Sequence, residues 1–468
     1  MAAKKGVAGY NNLVPETEAY LRKHPRKKSE QAKTQKKQKK QKLFAYELNV
    51  HLKTKKDCDA FARCIKRPLY RSEQAFTFSH RDTFPAATWK FNENKHSKPQ
   101  TLSQKKKDRL RFKNWFYNRH WVNMPSFTNE EVPSFISFSV RFDTKKAFME
   151  FANRTCQSIS VATKSIWYPE RPDDDLTSTF WVSTTKNKNP RYPVYIVSKG
   201  RAGTRQTART LERMKVPYYI AVEPQDYDAY AVFISPKKIL TLPFSNHGDG
   251  PGPARNWCMD HAKNNGFNRS WVLDDNISDF YRLHENKRIR VADGAIFRAA
   301  EDYVDRYENV PVAGFQYRFF IAPDQAYPPF VKNTRIYSCL LLDNDYKHRF
   351  RGRYNEDTIL SLDVLSDGDC TIQFNSFLQG KAATQTVKGG NTDEFYAPEG
   401  QEERAEGTRK KSEMLKAIYP DVTEIVERYG RIHHDVDYSP FQKNRLKPKV
   451  DLTKLKSVNE YGMKLEKK

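Results

Sequence analysis

Ser270-Trp-Val-Leu-Asp-Asp-Asn276 is the stretch on which the fold prediction rests, because an apolar run ends there in two adjacent carboxylates. The apolar residues predict a buried strand, and Asp274 and Asp275 mark its carboxyl end. Neighbouring buried aspartates are costly unless a cation compensates their charge. Carboxylates in this position suit Mg²⁺ or Mn²⁺ carrying a substrate diphosphate, although Asp-Asp-Asn is also ordinary turn chemistry.

A glycine-bearing turn lies between two predicted strands upstream of this stretch. Residues 194–197 predict a strand, 198–203 predict the turn, and 218–222 and 230–234 predict two more strands after an amphipathic helix. This order is typical of a βαβ unit, so we expect a parallel sheet covered by helices, with ligands bound at the carboxyl ends of the strands. The candidate site residues of this segment are Ser198, Lys199, Gly200, Arg201 and Glu223.

Three further motifs follow along the chain. Pro253-Ala-Arg-Asn256 opens a predicted helix over 257–264, which Gly266 ends. A literal Asp-x-Asp occurs at Asp343-Asn-Asp345 after an apolar run, but it lies far along the chain from the glycine-bearing turn over 198–203. We therefore predict a strand-end turn near the acceptor pocket there, rather than a metal site. Glu356-Asp357 then precedes an apolar segment and predicts the start of a helix.

In this order the motifs resemble glycosyltransferases of the GT-A fold, especially the large family-2 type. Residues 195–201, 253–256, 271–276 and 431–434 are together similar to the TET-associated glycosyltransferases, over roughly residues 190–445. These are phage enzymes, related to the base J glucosyltransferase of kinetoplastids, that act on 5-hydroxymethylpyrimidines in DNA. The resemblance implies an α/β, GT-A-like fold, which is a Rossmann-like mixed sheet flanked by helices. It also implies a UDP-sugar as donor and double-stranded DNA carrying modified pyrimidines as acceptor.

A metal site is part of what this resemblance implies. Asp274 and Asp275 would hold Mn²⁺ or Mg²⁺ together with the donor diphosphate. His433 or His434 would complete the metal shell; they are neighbours in an alternating segment, so only one of them faces the site.

The resemblance also implies a base and further donor contacts. Asp357, or Glu356, would take the proton from the acceptor hydroxyl, although acidic residues also suit a helix N-terminus electrostatically. A loop over 381–391 mixes cations, hydroxyls and glycines, so it either closes over a diphosphate or is simply a surface loop. The remaining nucleotide-sugar candidates are Arg205, Arg255, Asn256, Lys388 and Gly389.

The first part of the chain has a different character. Residues 1–42 carry 13 basic and 3 acidic residues, a local charge of 13 − 3 = +10, and predict a disordered basic tail. Residues 43–180 predict an α+β accessory domain, because 48–56 and 138–146 repeat a strand and a helix-capping Thr 90 positions apart.

Cations alternate with aromatic residues between the two repeats. This composition fits DNA binding, because cations hold phosphates while rings stack on bases, and it equally fits an amphipathic helix that buries its rings. The candidate DNA-binding residues are Lys105, Lys106, Lys107, Arg109, Arg111, Lys113 and Trp115.

Overall composition narrows the class of protein. Lys and Arg number 82 against 56 acidic residues, and a formal charge of +26 favours polyanions as partners. Six scattered cysteines lack zinc-site spacing, and no apolar run is long enough for a membrane span. We therefore expect no membrane partner and a cytoplasmic protein, in the host cytoplasm if a phage encodes it.

The sequence as a whole predicts a metal-dependent DNA glycosyltransferase with a catalytic domain over 190–445 and a basic C-terminal tail over 446–468. The acceptor would be 5-hydroxymethylcytosine or 5-hydroxymethyluracil. Two alternatives remain open. One is a metal-dependent nuclease using Asp274, Asp275 and Glu356, and the other is a non-enzymatic DNA-packaging or architectural protein.

Overall fold

The computed structural model describes residues 46–79, 84–92, 115–131, 134–160, 163–170, 178–322, 325–381, 401–428 and 431–467, without the side chains of 401–408, 428 and 431. These residues form two compact units. The smaller unit comprises the described residues between 46 and 92 and between 131 and 170, and the larger unit comprises 115–130 and those from 178 onwards.

The smaller unit consists of a four-stranded sheet, a two-stranded pair and two helices. Its strands are β1 (Tyr46–Leu52), β2 (Leu69–Tyr70), β3 (Ala75–Thr77), β4 (Phe91–Asn92), β5 (Ile136–Phe142) and β6 (Ser165–Tyr168), and its helices are α1 (Lys55–Ile65) and α2 (Lys145–Thr155). The sheet order is β3-β5-β1-β6, and β2 pairs with β4.

The two halves of the sequence repeat adopt the same structure. Thr54 and Thr144, 90 positions apart, each cap the following helix by accepting a backbone N–H through the side chain. Antiparallel β1 and β5 place Asn49 opposite Ser139, which is again an offset of 90. A local two-fold axis therefore passes through this pair, where Ser139 Oγ donates to Asn49 Oδ1 over 2.7 Å.

The larger unit contains the remaining elements. Its strands are β7 (Thr179–Ser183), β8 (Val194–Val197), β9 (Tyr219–Val222), β10 (Ile239–Thr241), β11 (Arg269–Asp274), β12 (Ile277–His284), β13 (Lys287–Arg290), β14 (Val312–Tyr317), β15 (Phe330–Lys332), β16 (Cys339–Asp343), β17 (Thr371–Lys381), β18 (Thr423–Arg428), β19 (Arg431–Val436) and β20 (Met463–Lys467). Its helices are α3 (Gln206–Arg213), α4 (Tyr227–Ala231), α5 (Gly252–Asn264), α6 (Ala295–Val304), α7 (Glu356–Ser366) and α8 (Gln401–Ile418).

A mixed sheet of order β10-β9-β8-β11-β16-β14-β17-β12-β13, with β15 beside β17, forms the centre of this unit. Trp271 and Leu273 of β11 pack into the apolar cluster that includes α3 and α6, while Val272 packs into the cluster that includes α5 and α7. Helices thus cover both faces, because successive side chains of a strand point to opposite sides. This arrangement confirms the predicted α/β, GT-A-like fold class.

The strand directions bring distant segments together. Strands β8, β9 and β11 run parallel, and β14 and β17 run parallel to each other. Because β16 is antiparallel to both β11 and β14, all five strands end at one end of the sheet, where β16 begins. We call this the carboxyl end of the sheet; the opposite end is the amino end.

Asp343 lies at the amino end, because antiparallel pairing places it opposite Arg269, the first residue of β11. Asp343-Asn-Asp345 is a strand-end turn, as predicted. It is wrong to place that turn near the acceptor pocket, because the length of β11, roughly 17 Å, separates it from Asp274.

The prediction of a third strand over 230–234 is also wrong. Tyr230 lies in α4, and the parallel strand beyond β9 is β10. Tyr230 and Ile234 are buried, whereas Val232 and Phe233 are exposed. The two buried residues are four positions apart, which is the spacing of one helical turn. In so short a segment, the same spacing also fits the alternation of buried and exposed residues along a strand.

Two predicted domain boundaries differ from the structure. Residues 115–130 lie in the larger unit, because Trp121 stacks on Phe330 with ring centroids 6.1 Å apart and packs into its core. The predicted tail from 446 contains β20, which pairs with β7 and buries Met463. No helix in the described ranges has the length and apolar character needed to cross a bilayer.

Candidate active site

Asp274 is the last residue of β11, and three side chains donate hydrogen bonds to its carboxylate. Its Oδ1 accepts from Arg255 Nη2 over 2.7 Å, while its Oδ2 accepts from Ser338 Oγ over 2.7 Å and from Lys381 Nζ over 2.5 Å. Burial alone would raise the pKa of Asp274, but the charges of Lys381 and Arg255 outweigh burial and hold the pKa well below its usual range. Asp274 is therefore an ionised carboxylate between two cations.

Asp275 has its own set of partners on the side of β8. Arg201 Nη1 lies 2.5 Å from its Oδ1, and Ser198 Oγ donates to its Oδ2 over 2.7 Å. The Tyr230 hydroxyl lies 2.5 Å from Ser198 Oγ and accepts from the backbone N–H of Arg201. Burial raises the pKa of Asp275, although Arg201 and Ser198 favour its ionised form. This network fixes the turn after β8 against the end of β11.

The same turn carries the other predicted nucleotide residues. Gly200 adopts a left-handed φ of 64°, which favours glycine, and its N–H donates to Asp226 Oδ2 over 2.8 Å. Lys199 Nζ lies 3.1 Å from Glu223 Oε1 at the end of β9. Arg205 lies immediately before α3, with its guanidinium 4.0 Å from the centre of the Phe233 ring. The structure thus brings Ser198, Lys199, Gly200, Arg201, Glu223 and Arg205 to one end of the sheet.

Two neighbouring residues of α5 have different roles. Arg255 is buried and joins two acidic groups, since its Nη2 contacts Asp274 and its Nη1 lies 3.3 Å from Glu356 Oε1. Asn256 instead holds a loop, because its side chain donates to the carbonyl of Phe350 and accepts from the N–H of Phe350, both over 2.8 Å. The contacts of Asn256 are those of a structural residue.

Glu356 and Asp357 begin α7, as predicted. Burial and the negative charge of Glu356 raise the pKa of Asp357 to about 7, against the opposing charges of Arg255 and Lys411. An aspartate with this pKa exchanges its proton near neutrality, which is where a general base works best. Through Arg255, this carboxyl pair is linked to Asp274.

His434 lies in the β18–β19 hairpin, opposite Ile425. Burial, together with the charges of Lys411 and Arg335, lowers the pKa of His434 to about 3, so the ring is neutral. Lys411 and Arg335 also interact with Asp357, and among the described residues no group hydrogen-bonds to His434 Nδ1. His434 thus has cationic neighbours, which disfavour a metal ion beside it.

The predicted metal ligands do not come together. Within the described ranges, no three His, Cys, Asp or Glu side chains are placed to hold a metal ion. The carboxylate oxygens of Asp274 and Asp275 accept from protein donors, and Arg201, Arg255 and Lys381 supply the positive charge that a divalent cation would otherwise supply. The residues present do not fit a centre built from Asp274, Asp275, His433 and His434.

Several predicted residues lie outside the described residues: Lys105, Lys106, Lys107, Arg109, Arg111, Lys113, Lys388, Gly389 and the whole of 1–42. Trp115 is described and exposed, and the Arg119 guanidinium lies 5.5 Å from its ring.

Sequence reasoning missed Ser338 and Lys381 as partners of Asp274. Ser338 precedes β16 and Lys381 ends β17, so both reach the carboxyl end of the sheet from segments far along the chain. The rule that singled out Asp274, a polar residue at the end of an apolar strand, applies equally to Lys381.

A family model described as TET-Associated Glycosyltransferase matches residues 192–390. The match starts just before β8 and includes the turn after it, Asp274 and Asp275, and α7. The match confirms, over residues 192–390, the resemblance drawn from the motifs.

Two other comparisons add little. Among solved structures, a protein of Desulfovibrio desulfuricans G20, provisionally described as a nucleotide-diphospho-sugar transferase, is 11% identical. Its match covers 40% of this chain and 80% of that chain with a TM-score of 0.25, which is too low to support an argument. The comparison with curated proteins yielded no match.

Proposed function

We propose that the larger unit transfers a sugar from a UDP-sugar to the hydroxymethyl group of a 5-hydroxymethylpyrimidine in DNA. The observation that carries the proposal is the position of Asp357, a half-buried carboxyl with a pKa of about 7 whose neighbour Glu356 is joined through Arg255 to Asp274. A site that holds a base beside neutralised carboxylates suits the attack of a hydroxyl on the anomeric carbon of a nucleotide-sugar donor.

The donor would bind at the turn after β8. The N-terminus of α3, to which no side-chain cap is hydrogen-bonded, favours a phosphate group there through the helix dipole. Lys199, Arg201 and Lys381 supply positive charge at the carboxyl end of the sheet. The sequence predicted Mn²⁺ or Mg²⁺ for this role. Because Arg201, Arg255 and Lys381 already compensate the charges of Asp274 and Asp275, we assign the role to Lys199, Arg201 and Lys381.

The transfer would be a single displacement. Asp357 takes the proton from the acceptor hydroxyl, whose oxygen bonds to the anomeric carbon as the bond from that carbon to the diphosphate breaks. The electron pair leaves with the diphosphate, and the charge of Lys381 stabilises it. Attack opposite the leaving group inverts the anomeric centre, and a base in this role contributes about 10²–10⁴-fold.

DNA as the acceptor agrees with the charge of the chain. A formal charge of +26 favours a polyanion, and Lys55, Lys56, Lys145 and Lys146 are exposed where α1 and α2 begin. We propose that the smaller unit contributes salt-dependent, sequence-independent affinity for DNA. A DNA acceptor also implies action in the cytoplasm of a host cell.

The test is transfer to defined DNA. Duplexes containing 5-hydroxymethylcytosine, 5-hydroxymethyluracil or only ordinary bases would be incubated with UDP-glucose, UDP-galactose or UDP-N-acetylglucosamine in EDTA. We expect the mass of one sugar to be added to a hydroxymethylated nucleoside with at least one donor, and none on the ordinary duplex or with Asp357→Asn. Strand cleavage without transfer would support the nuclease instead.

A further inference from the structure

An aromatic row leads away from the reactive groups at the end of β14. Tyr317 is the last residue of that strand, and a short 3₁₀ helix, Arg318–Phe320, follows it. The rings of Tyr317 and Phe319 stack with centroids 5.1 Å apart and planes inclined by 16°, and the Phe320 ring lies 4.3 Å from that of Phe319. Tyr337 also stacks on Tyr317, with ring centroids 6.2 Å apart.

The inner end of the row contacts the residues assigned to the chemistry. The Tyr317 hydroxyl lies 2.6 Å from Ser338 Oγ, which itself donates to Asp274. The Tyr337 hydroxyl accepts from the side chain of Thr358, the neighbour of Asp357, over 3.1 Å. One end of the row therefore lies between the donor carboxylate and the base.

The outer end of the row is open to solvent. Phe319 is 59% exposed and Phe320 is 50% exposed, although burial of such rings normally stabilises a fold. Arg288 Nη1 donates to the carbonyl of Ile321 over 2.9 Å and so holds the 3₁₀ segment. Exposed rings on a held segment beside a reactive centre are typical of a binding surface.

We propose that Phe319 and Phe320, with Tyr317 stacked against Phe319 as their support, form a stacking platform for the target pyrimidine after it leaves the DNA duplex. This inference rests on the proposed function. A base inside a duplex cannot place its 5-hydroxymethyl group beside half-buried Asp357, so the base must be unstacked, and a preformed aromatic surface replaces the lost stacking. The exposed Phe319 and Phe320 rings, whose planes are inclined by 48°, each offer an aromatic face to a base, and the positive chain attracts its phosphates.

The test compares DNA affinity with donor affinity in the full chain. Phe319→Ala combined with Phe320→Ala should raise KM for hydroxymethylated duplex roughly 10- to 100-fold, while kcat and the Kd for UDP stay within about twofold. Phe319→Trp should retain the wild-type KM, because it preserves an aromatic face. Phe319→Leu should not, because it preserves only apolar volume.

Phe267 provides the matched control, since it is an exposed aromatic residue that precedes β11 at the amino end of the sheet. Phe267→Ala should leave KM for DNA unchanged. A wild-type KM in the double variant, or full rescue by Phe319→Leu, would overturn the platform while leaving the glycosyltransferase assignment intact. Failure of the wild-type chain to modify hydroxymethylated DNA would instead overturn the proposed function.

Discussion

The two ends of β11 each carry an acidic motif, and the motifs differ in burial and in partners. At the carboxyl end, Asp274 and Asp275 are enclosed by Arg201, Arg255 and Lys381. At the amino end, the side chain of Asp345 is 58% exposed and pairs with Lys263, whose side chain is 51% exposed. The amino-end motif spells Asp-x-Asp literally, yet its surroundings are those of a surface turn. A carboxylate enclosed by specific cationic side chains therefore identifies the site better than an Asp-x-Asp sequence does.

The largest expected difference between the two ends concerns the base linked to the carboxyl end. Asp357→Asn removes the proton acceptor but keeps the shape of the side chain. We expect sugar transfer to fall by about 10²–10⁴-fold with an unchanged Kd for UDP, because the lost interaction is needed chiefly in the transition state. Asp343→Asn, the matched variant at the amino end, should transfer at the wild-type rate. Equal losses in both variants would contradict the comparison.

The pH dependence of the wild-type rate sharpens the same prediction. Since burial and Glu356 raise the pKa of Asp357 to about 7, the rate should rise with pH and level off above that value. The folded state holds this proton more tightly than the unfolded chain, so the free energy of unfolding should fall as the pH rises from about 4 through 7. A rate independent of pH between 5 and 8 would exclude Asp357 as the base.

Many residues of this site can be predicted from the sequence, because they follow apolar runs that form strands, but their partners cannot. The turn at 198–203 and the Asp274-Asp275 pair were predictable because each follows an apolar run, and parallel strands bring such ends together. Lys381 also follows such a run, but the contacts of Lys381 and Ser338 with Asp274 were not predictable, because they depend on how β16 and β17 pair. The metal prediction failed to anticipate these partners, since a sequence does not show which donors reach a carboxylate.

A smaller difference between the two ends of β11 is expected in the free energy of unfolding. Asp274→Asn leaves Lys381 without its counter-ion and leaves Arg255 with Glu356 alone. Removing one partner from a buried ion pair costs about 3–5 kcal/mol, which is an upper bound here because the Asp274 side chain is 24% exposed. Asp345→Asn breaks an exposed pair with Lys263 and should cost less than about 1 kcal/mol. Urea unfolding at pH 7.5 measures the free energy of unfolding of both variants. Equal shifts of the two midpoints would show that the carboxyl-end pairs are no more important for folding than a surface pair.

Calorimetric titration of UDP in EDTA tests most directly whether the carboxyl end binds the donor through protein cations. The wild-type chain should bind UDP under these conditions, and Lys381→Met and Asp275→Asn should each weaken binding about tenfold or more, since one removes a cation and the other releases Arg201. Asp343→Asn should bind UDP as the wild type does. Binding that requires added Mn²⁺ or Mg²⁺, or that is lost with Asp343→Asn and retained with Asp275→Asn, would contradict this assignment.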